Sequence, residues 1–150
     1  MAPPGWQVRG VSDDGSLAVI VSEADGYSTR LIHTRDGNVI ADLDVGGILM
    51  PEAVFSTDGA IVVTSNFDTA PPSYRIWDTS NGALLRGIET EVVSVGGVPN
   101  QRFTPDGTTL VVGSFDGTIS ILDASIPPNR CSILRSRATR SESSPWIPAS

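Results

Sequence analysis

Among its 150 residues the chain has no lysine, one cysteine and one histidine. Each shortage removes a class of chemistry. A lone cysteine, Cys131, rules out an intramolecular disulfide, and without a CxxC pair there is no thiolate clamp for a metal. His33 has no second imidazole to share a metal with and no Ser/Asp triad pattern around it, so it reads as a strand residue. Cys131 lies in the least patterned segment and reads as a structural or incidental thiol. No apolar run approaches the about 18 residues that a membrane-spanning helix needs. Met1 to Trp6 has no charged stretch followed by an apolar one, so no secretory signal is expected and a cytoplasmic location is. Nor do apolar residues recur at i, i+3, i+4, i+7, so no helix is expected. All ten basic residues are arginine, which is read as the codon usage of a GC-rich, bacterial genome.

The chain does have an ordinary apolar share, 39%, enough for a core rather than a disordered coil. Its net charge of −7 is uneven. Residues 1–128 carry 16 acidic residues against six arginines, a net of −10, whereas residues 129–150 carry four arginines against Glu142. An acidic body repels nucleic acid and anionic membranes, which bind concentrated basic surfaces.

The stretch Phe55 to Asp78 (FSTDGAIVVTSNFDTAPPSYRIWD) recurs 48 residues later as Phe103 to Asp123 (FTPDGTTLVVGSFDGTISILD). Phe55 matches Phe103, Asp58-Gly59 matches Asp106-Gly107, and Phe67-Asp68 matches Phe115-Asp116. A fainter copy stands 44 residues upstream, with Ser12-Asp13-Asp14-Gly15 at the turn. Such a period marks a repeat architecture, whose units bury their faces only against one another. Turn signals arrive every 8–12 residues, as in all-β proteins. The first unit, 6–43, should hold strands at Trp6–Val11, Leu17–Val21, Thr29–His33 and Val39–Leu43. In it Asp36-Gly37 is a hairpin signal that favours a type I′ turn. The second unit, 52–87, should hold Ala53–Ser56, Ala60–Ser65, Tyr74–Asp78 and Ala83–Arg86, with Asn81-Gly82 as its hairpin signal. The third, 100–134, should hold Gln101–Thr104, Thr109–Gly113, Thr118–Asp123 and Cys131–Leu134. Residues 135–150, rich in Ser, Arg and Pro, should be a disordered tail.

Four short strands per unit, an Asp-Gly turn after the first, and Trp77-Asp78 closing the third resemble the WD-repeat β-propeller family, over residues 6–134. The resemblance implies an all-β fold of four-stranded antiparallel blades. Family blades often carry a hydrogen-bonded network of His, Ser or Thr, Asp and Trp. The second unit has Thr64, Asp68 and Trp77 at matching positions, and the third has Asp116 with Val112 and Leu122 in place of the hydroxyl and the indole. In the first unit His33 is aligned with the Trp and Thr34 with the Asp. Propellers close rings of about 4–8 blades, so three units leave the ring incomplete. The chain is then a piece of a longer protein, or copies assemble, or a partner supplies blades.

The Asp-Gly pairs lack the DxDxDG pattern of a calcium loop, and Gly46-Gly47 and Gly96-Gly97 are followed by no GxxxxGK. No cofactor or metal is therefore expected, and no catalytic residue. The recurring aromatics read as packing. What remains is surface recognition by the loops of one face: Glu23–Tyr27, Val45–Pro51, Asn66–Ser73, Ile88–Asn100 and Phe115–Gly117. Aromatics and arginine favour binding hot spots, which singles out Tyr27, Phe67, Tyr74, Arg75 and Phe115 as partner contacts. The expected function is a non-enzymatic protein-interaction scaffold, with self-association as one way to complete the ring. The alternatives are a fragment of a lactonase-like or quinoprotein-like propeller enzyme whose active site lies in other blades, or a truncated repeat remnant.

Overall fold

The computed structural model describes residues 3–46, 51–66, 73–89, 100–113 and 119–124. They form eleven strands in three antiparallel sheets. The first sheet is β1 (Trp6–Val11), β2 (Leu17–Ser22), β3 (Ser28–His33) and β4 (Val39–Leu43). The second is β5 (Glu52–Phe55), β6 (Ile61–Asn66), β7 (Ser73–Asp78) and β8 (Leu84–Glu89). The third holds β9 (Asn100–Phe103), β10 (Thr109–Gly113) and β11 (Ile119–Asp123). Within each sheet the strands pair in chain order, as up-and-down meanders. The segments expected at Cys131–Leu134 and 135–150 lie outside the described residues. Among the described residues no helix is long and apolar enough to cross a membrane.

One turn, made three times, starts every sheet. Ser12 Oγ donates to Asp14 Oδ1 at 2.7 Å, the Ser16 N–H donates to the same oxygen at 2.9 Å, and the Leu17 N–H donates to Ser12 Oγ at 3.0 Å. Ser56, Asp58, Ala60 and Ile61 repeat the pattern, and so do Thr104, Asp106, Thr108 and Thr109. The glycine after each Asp sits at positive φ, 70–73°, where a Cβ would be strained. The faint first copy thus builds a full four-stranded sheet with the same turn as the others.

The hairpins differ from expectation. A type I′ turn needs two central residues at φ > 0. In the β3–β4 turn only Gly37 has positive φ, and Asp36 accepts the Asn38 N–H at 3.0 Å instead. Gly82 and Asn81 behave alike, with Asn81 Oδ1 accepting the Ala83 N–H at 2.8 Å. These side-chain turns keep Asp and Asn out of the left-handed region. Each is followed by a bulge: Ile32 pairs with Val39 while Leu31 pairs with Ala41, and Trp77 pairs with Leu84 while Ile76 pairs with Arg86. Pairing also carries β8 to Glu89, opposite Ser73, past the expected end at Arg86.

Register corrects one alignment. Ala18 faces Ile32 as Val62 faces Trp77, and the Thr34 N–H donates to Ser16 O as the Thr79 N–H donates to Ala60 O. Ile32 therefore holds the tryptophan position and His33 the position of Asp78, one residue away from the alignment read by eye.

The core is two layers, one on each side of the second sheet. Val62, Trp77 and Phe55 pack against Val19, Leu31 and Leu43 of the first sheet. Ile61, Val63, Tyr74 and Ile76 pack against Leu110, Val112 and Leu122 of the third. Every residue of β6 is buried. Burying one such side chain contributes about 1.5–3 kcal/mol. The sheets meet most closely at their first strands, β1 beside β5 and β5 beside β9. A Cβ at Gly10 would stand 2.5 Å from Ala53 O, so glycine is what lets β1 approach β5 there.

Candidate interaction edge

Up-and-down pairing divides the turns between two edges. The Asp-Gly turns and the β3–β4 and β7–β8 hairpins share one edge. The β2–β3 turn, the β6–β7 and β10–β11 connections and the links between sheets share the other. Of the loops singled out in the sequence, Glu23–Tyr27 and residues 45–46 are described on that second edge.

Polar contacts fix this edge between the first two sheets. Arg75, on β7, reaches back to the connector after β4. Its guanidinium lies 3.3 Å from the Asp44 carboxylate and also donates to the Asp44 carbonyl. Gly46, at φ 62°, makes room for it, because a Cβ there would stand 2.8 Å from Arg75 Nη2. Gln7 Nε2 donates to Glu23 at 3.1 Å, Arg9 Nη2 donates to Gln7 Oε1 at 2.9 Å, and Arg9 lies 3.7 Å from Glu52 across the junction. Burial pushes the Glu52 carboxyl above its ordinary value, and Arg9 opposes that shift. Beside them the turn Glu23–Tyr27 is pinned by the Gly26 N–H on Glu23 O and by Ser28 Oγ on Asp25 O. Tyr27 holds φ 64°, the one non-glycine residue at positive φ among the described residues.

The expected contact residues fare differently. Tyr27 stands in the edge turn, and Arg75 is at the edge but engaged with Asp44. Tyr74 is corrected: it is 0% exposed, packed with Ile61, Ile76 and Leu110, and is a core residue rather than a contact. Desolvation pushes its hydroxyl pKa well up. Phe67, Phe115, Asp68 and Asp116 lie outside the described residues. Of the blade network, Thr64 and Trp77 meet: Trp77 Nε1 donates to Thr64 Oγ1 at 2.9 Å, buried between the first and second sheets.

Two bridges had no signal in the repeat. Gln101 Nε2 donates to Ser65 Oγ at 2.8 Å, buried between the second and third sheets. Arg86 Nη1 donates to Asp123 O at 3.0 Å. Each joins residues more than 35 positions apart, beyond any local pattern. At the opposite edge a groove of about 240 Å³ opens beside Val11, Phe55, Arg102 and Phe103. Among the described residues no three His, Cys, Asp or Glu side chains group as a metal site.

Up-and-down antiparallel sheets, two of four strands and one of three among the described residues, stacked face on face and closest at their first strands, are propeller-type blades. Among the described residues they form an incomplete ring. The chain is 33% identical over 126 residues to COMPASS component SWD3 of Saccharomyces cerevisiae, a WD-repeat protein. The match takes in 82% of this chain and 33% of that protein, so the chain spans about a third of the length of this curated relative. No family model matches the chain.

Proposed function

We propose that the chain is a non-enzymatic protein-interaction scaffold of WD-repeat blades, a partial propeller that binds other proteins through its loop edge. The observation that carries this reading is the edge itself. Arg75 with Asp44 and Gly46, and the Glu23–Gln7–Arg9–Glu52 series, tie the connector after β4 and the Glu23–Tyr27 turn to the sheets, and loops carried on such a scaffold are where partners are recognised. The similarity to SWD3, by its name a component of an assembly, supports the same role. Tyr27, Phe67 and Phe115 are its contact aromatics in this reading, with Arg75 beside Asp44 as a further contact. A bacterial source, suggested by the all-arginine basic set, and a cytoplasmic location belong to this reading.

Photo-crosslinking tests it. A benzophenone amino acid placed at Tyr27 should yield discrete protein adducts in lysate of the source cells. The same group at Thr57, on the other edge, should not. Equal adducts from both positions, or none from Tyr27, would overturn the reading.

A further inference from the structure

The chain's five asparagines are followed by Val39, Phe67, Gly82, Gln101 and Arg130, so Asn81 alone precedes a glycine. That pairing carries its own chemistry. A backbone nitrogen that no following side chain shields can attack the asparagine Cγ and close a cyclic succinimide. The Asp-Gly pairs are poorer sites, because an ionised carboxylate resists such attack, and their turns hold Asp14, Asp58 and Asp106 below the ordinary carboxylate value. In the β7–β8 hairpin both reacting groups are tied. The Gly82 N–H donates to Asp78 O at 2.7 Å, and Asn81 Oδ1 accepts the Ala83 N–H at 2.8 Å. The Asp78 N–H on Ala83 O, at 2.9 Å, closes the turn. Asn81 and Ala83 are nonetheless exposed, so water reaches the turn whenever it opens. The inner side of the hairpin has no such room: a Cβ at Gly82 would overlap Ala41 Cβ and stand 3.8 Å from Leu43 Cδ2, both on β4.

We propose that Asn81-Gly82 is a site of spontaneous deamidation, shut while the hairpin is closed and opened by its fraying, whose isoaspartyl product parts the second sheet from the first at β4. On opening, the Gly82 nitrogen bonds to Asn81 Cγ. Its proton passes through water to the side-chain nitrogen, which departs as ammonia. Water then adds to one of the two ring carbonyls and breaks its bond to the ring nitrogen, leaving aspartate or isoaspartate at position 81. The two products differ in what they do to the fold. Aspartate keeps the acceptor for the Ala83 N–H. The first sheet already builds its hairpin this way, with Asp36 Oδ1 accepting the Asn38 N–H at 3.0 Å and the Gly37 N–H donating to His33 O at 2.9 Å. Isoaspartate sends the main chain through the side-chain carbon, one methylene longer. That lengthening breaks the match between Asp78 O and the Gly82 N–H and pushes Gly82 toward Ala41, where no space is left.

The test ages the 150-residue chain at neutral pH, folded in buffer and unfolded in urea, in parallel. Trypsin cuts this lysine-free chain only at arginine and delivers Asn81 as the one asparagine of the peptide Ile76–Arg86. Mass spectrometry of that peptide reads amide loss, and enzymatic methylation of isoaspartate reads the product ratio. Conversion in the unfolded chain should outrun that in the folded chain by about tenfold or more, the factor for an opening free energy of about 1.4 kcal/mol. Asn81→Asp should match the parent in melting temperature. The urea-aged chain, returned to buffer, should melt in two steps, one at that temperature and one lower, the lower in proportion to its isoaspartate. Equal rates folded and unfolded, or no conversion in urea, would overturn the guarded site. A lowered melting temperature in Asn81→Asp, or a single step at the parent temperature in the aged chain, would overturn the different fates of the two products.

Discussion

Trp77 shows how one polar atom is managed inside an otherwise apolar junction. Its indole N–H is buried, and the Thr64 hydroxyl is the acceptor that makes this tolerable. Thr64→Val keeps the shape and removes the acceptor, so it should cost about 1–3 kcal/mol. The urea midpoint should fall while the slope stays the same. Replacing both partners, Thr64→Val with Trp77→Phe, should cost less than the sum of the two, because no orphaned donor remains. An unchanged midpoint in Thr64→Val would contradict the role given to the bond. Glycines divide just as sharply. Gly10→Ala drives a methyl group into Ala53 O and should destabilise by about 1–3 kcal/mol through strain. Gly87→Ala meets open space and should lie within about 0.5 kcal/mol of the parent. Parallel urea titrations of the two variants decide it; equal effects would mean that β1 does not approach β5 as described.

The turn that opens each sheet is the element that sets the response to acid. Asp14 accepts from the Ser16 N–H, Ser12 and Ser16, which holds its carboxyl down to about 2. Ser56 and the Ala60 N–H lower Asp58, and Thr104 and Thr108 lower Asp106. Each folded value lies below that of the unfolded chain, near about 3.9. The turns therefore contribute their stability above that unfolded value and lose it as pH falls through the folded one. The melting temperature should drop between about pH 5 and pH 2, and Asp→Asn at all three positions should flatten the drop. A parallel acid profile in the triple variant would contradict this. These turns were legible in the sequence because a hydroxyl, an Asp and a Gly at fixed offsets each have a local job. The strands were legible from their β-branched runs. What was not legible depended on distant chain. Tyr74 alternates onto the same face as Ile76, but only the third sheet, 36 residues from Tyr74 at Leu110, turns that face into core. His33 was misaligned by one because the connection from β2 to β3 is one residue shorter than that from β6 to β7: Ser22 pairs with Ser28, whereas Asn66 pairs with Ser73. The tie between Arg75 and Asp44 spans 31 positions and left no pattern in the sequence.

At the scale of the molecule, the account stands on stacking: three blade-type sheets share two apolar layers, and the middle one has both faces covered. Cutting one layer should weaken the whole. Leu110→Ala, in the junction between the second and third sheets, should cost about 2–5 kcal/mol. Because the layers are continuous through the second sheet, it should lower a single transition rather than split it, as calorimetry would show. The most direct measurement is native-state hydrogen exchange of the strand amides. The stack predicts that β6, buried at every residue and paired on both sides, exchanges slowest, with β2 close behind and the outer strands β4 and β8 fastest. Amides of β6 that exchange as fast as those of β4 would show that the second sheet is not enclosed by its neighbours, and the stacked-blade account would fall.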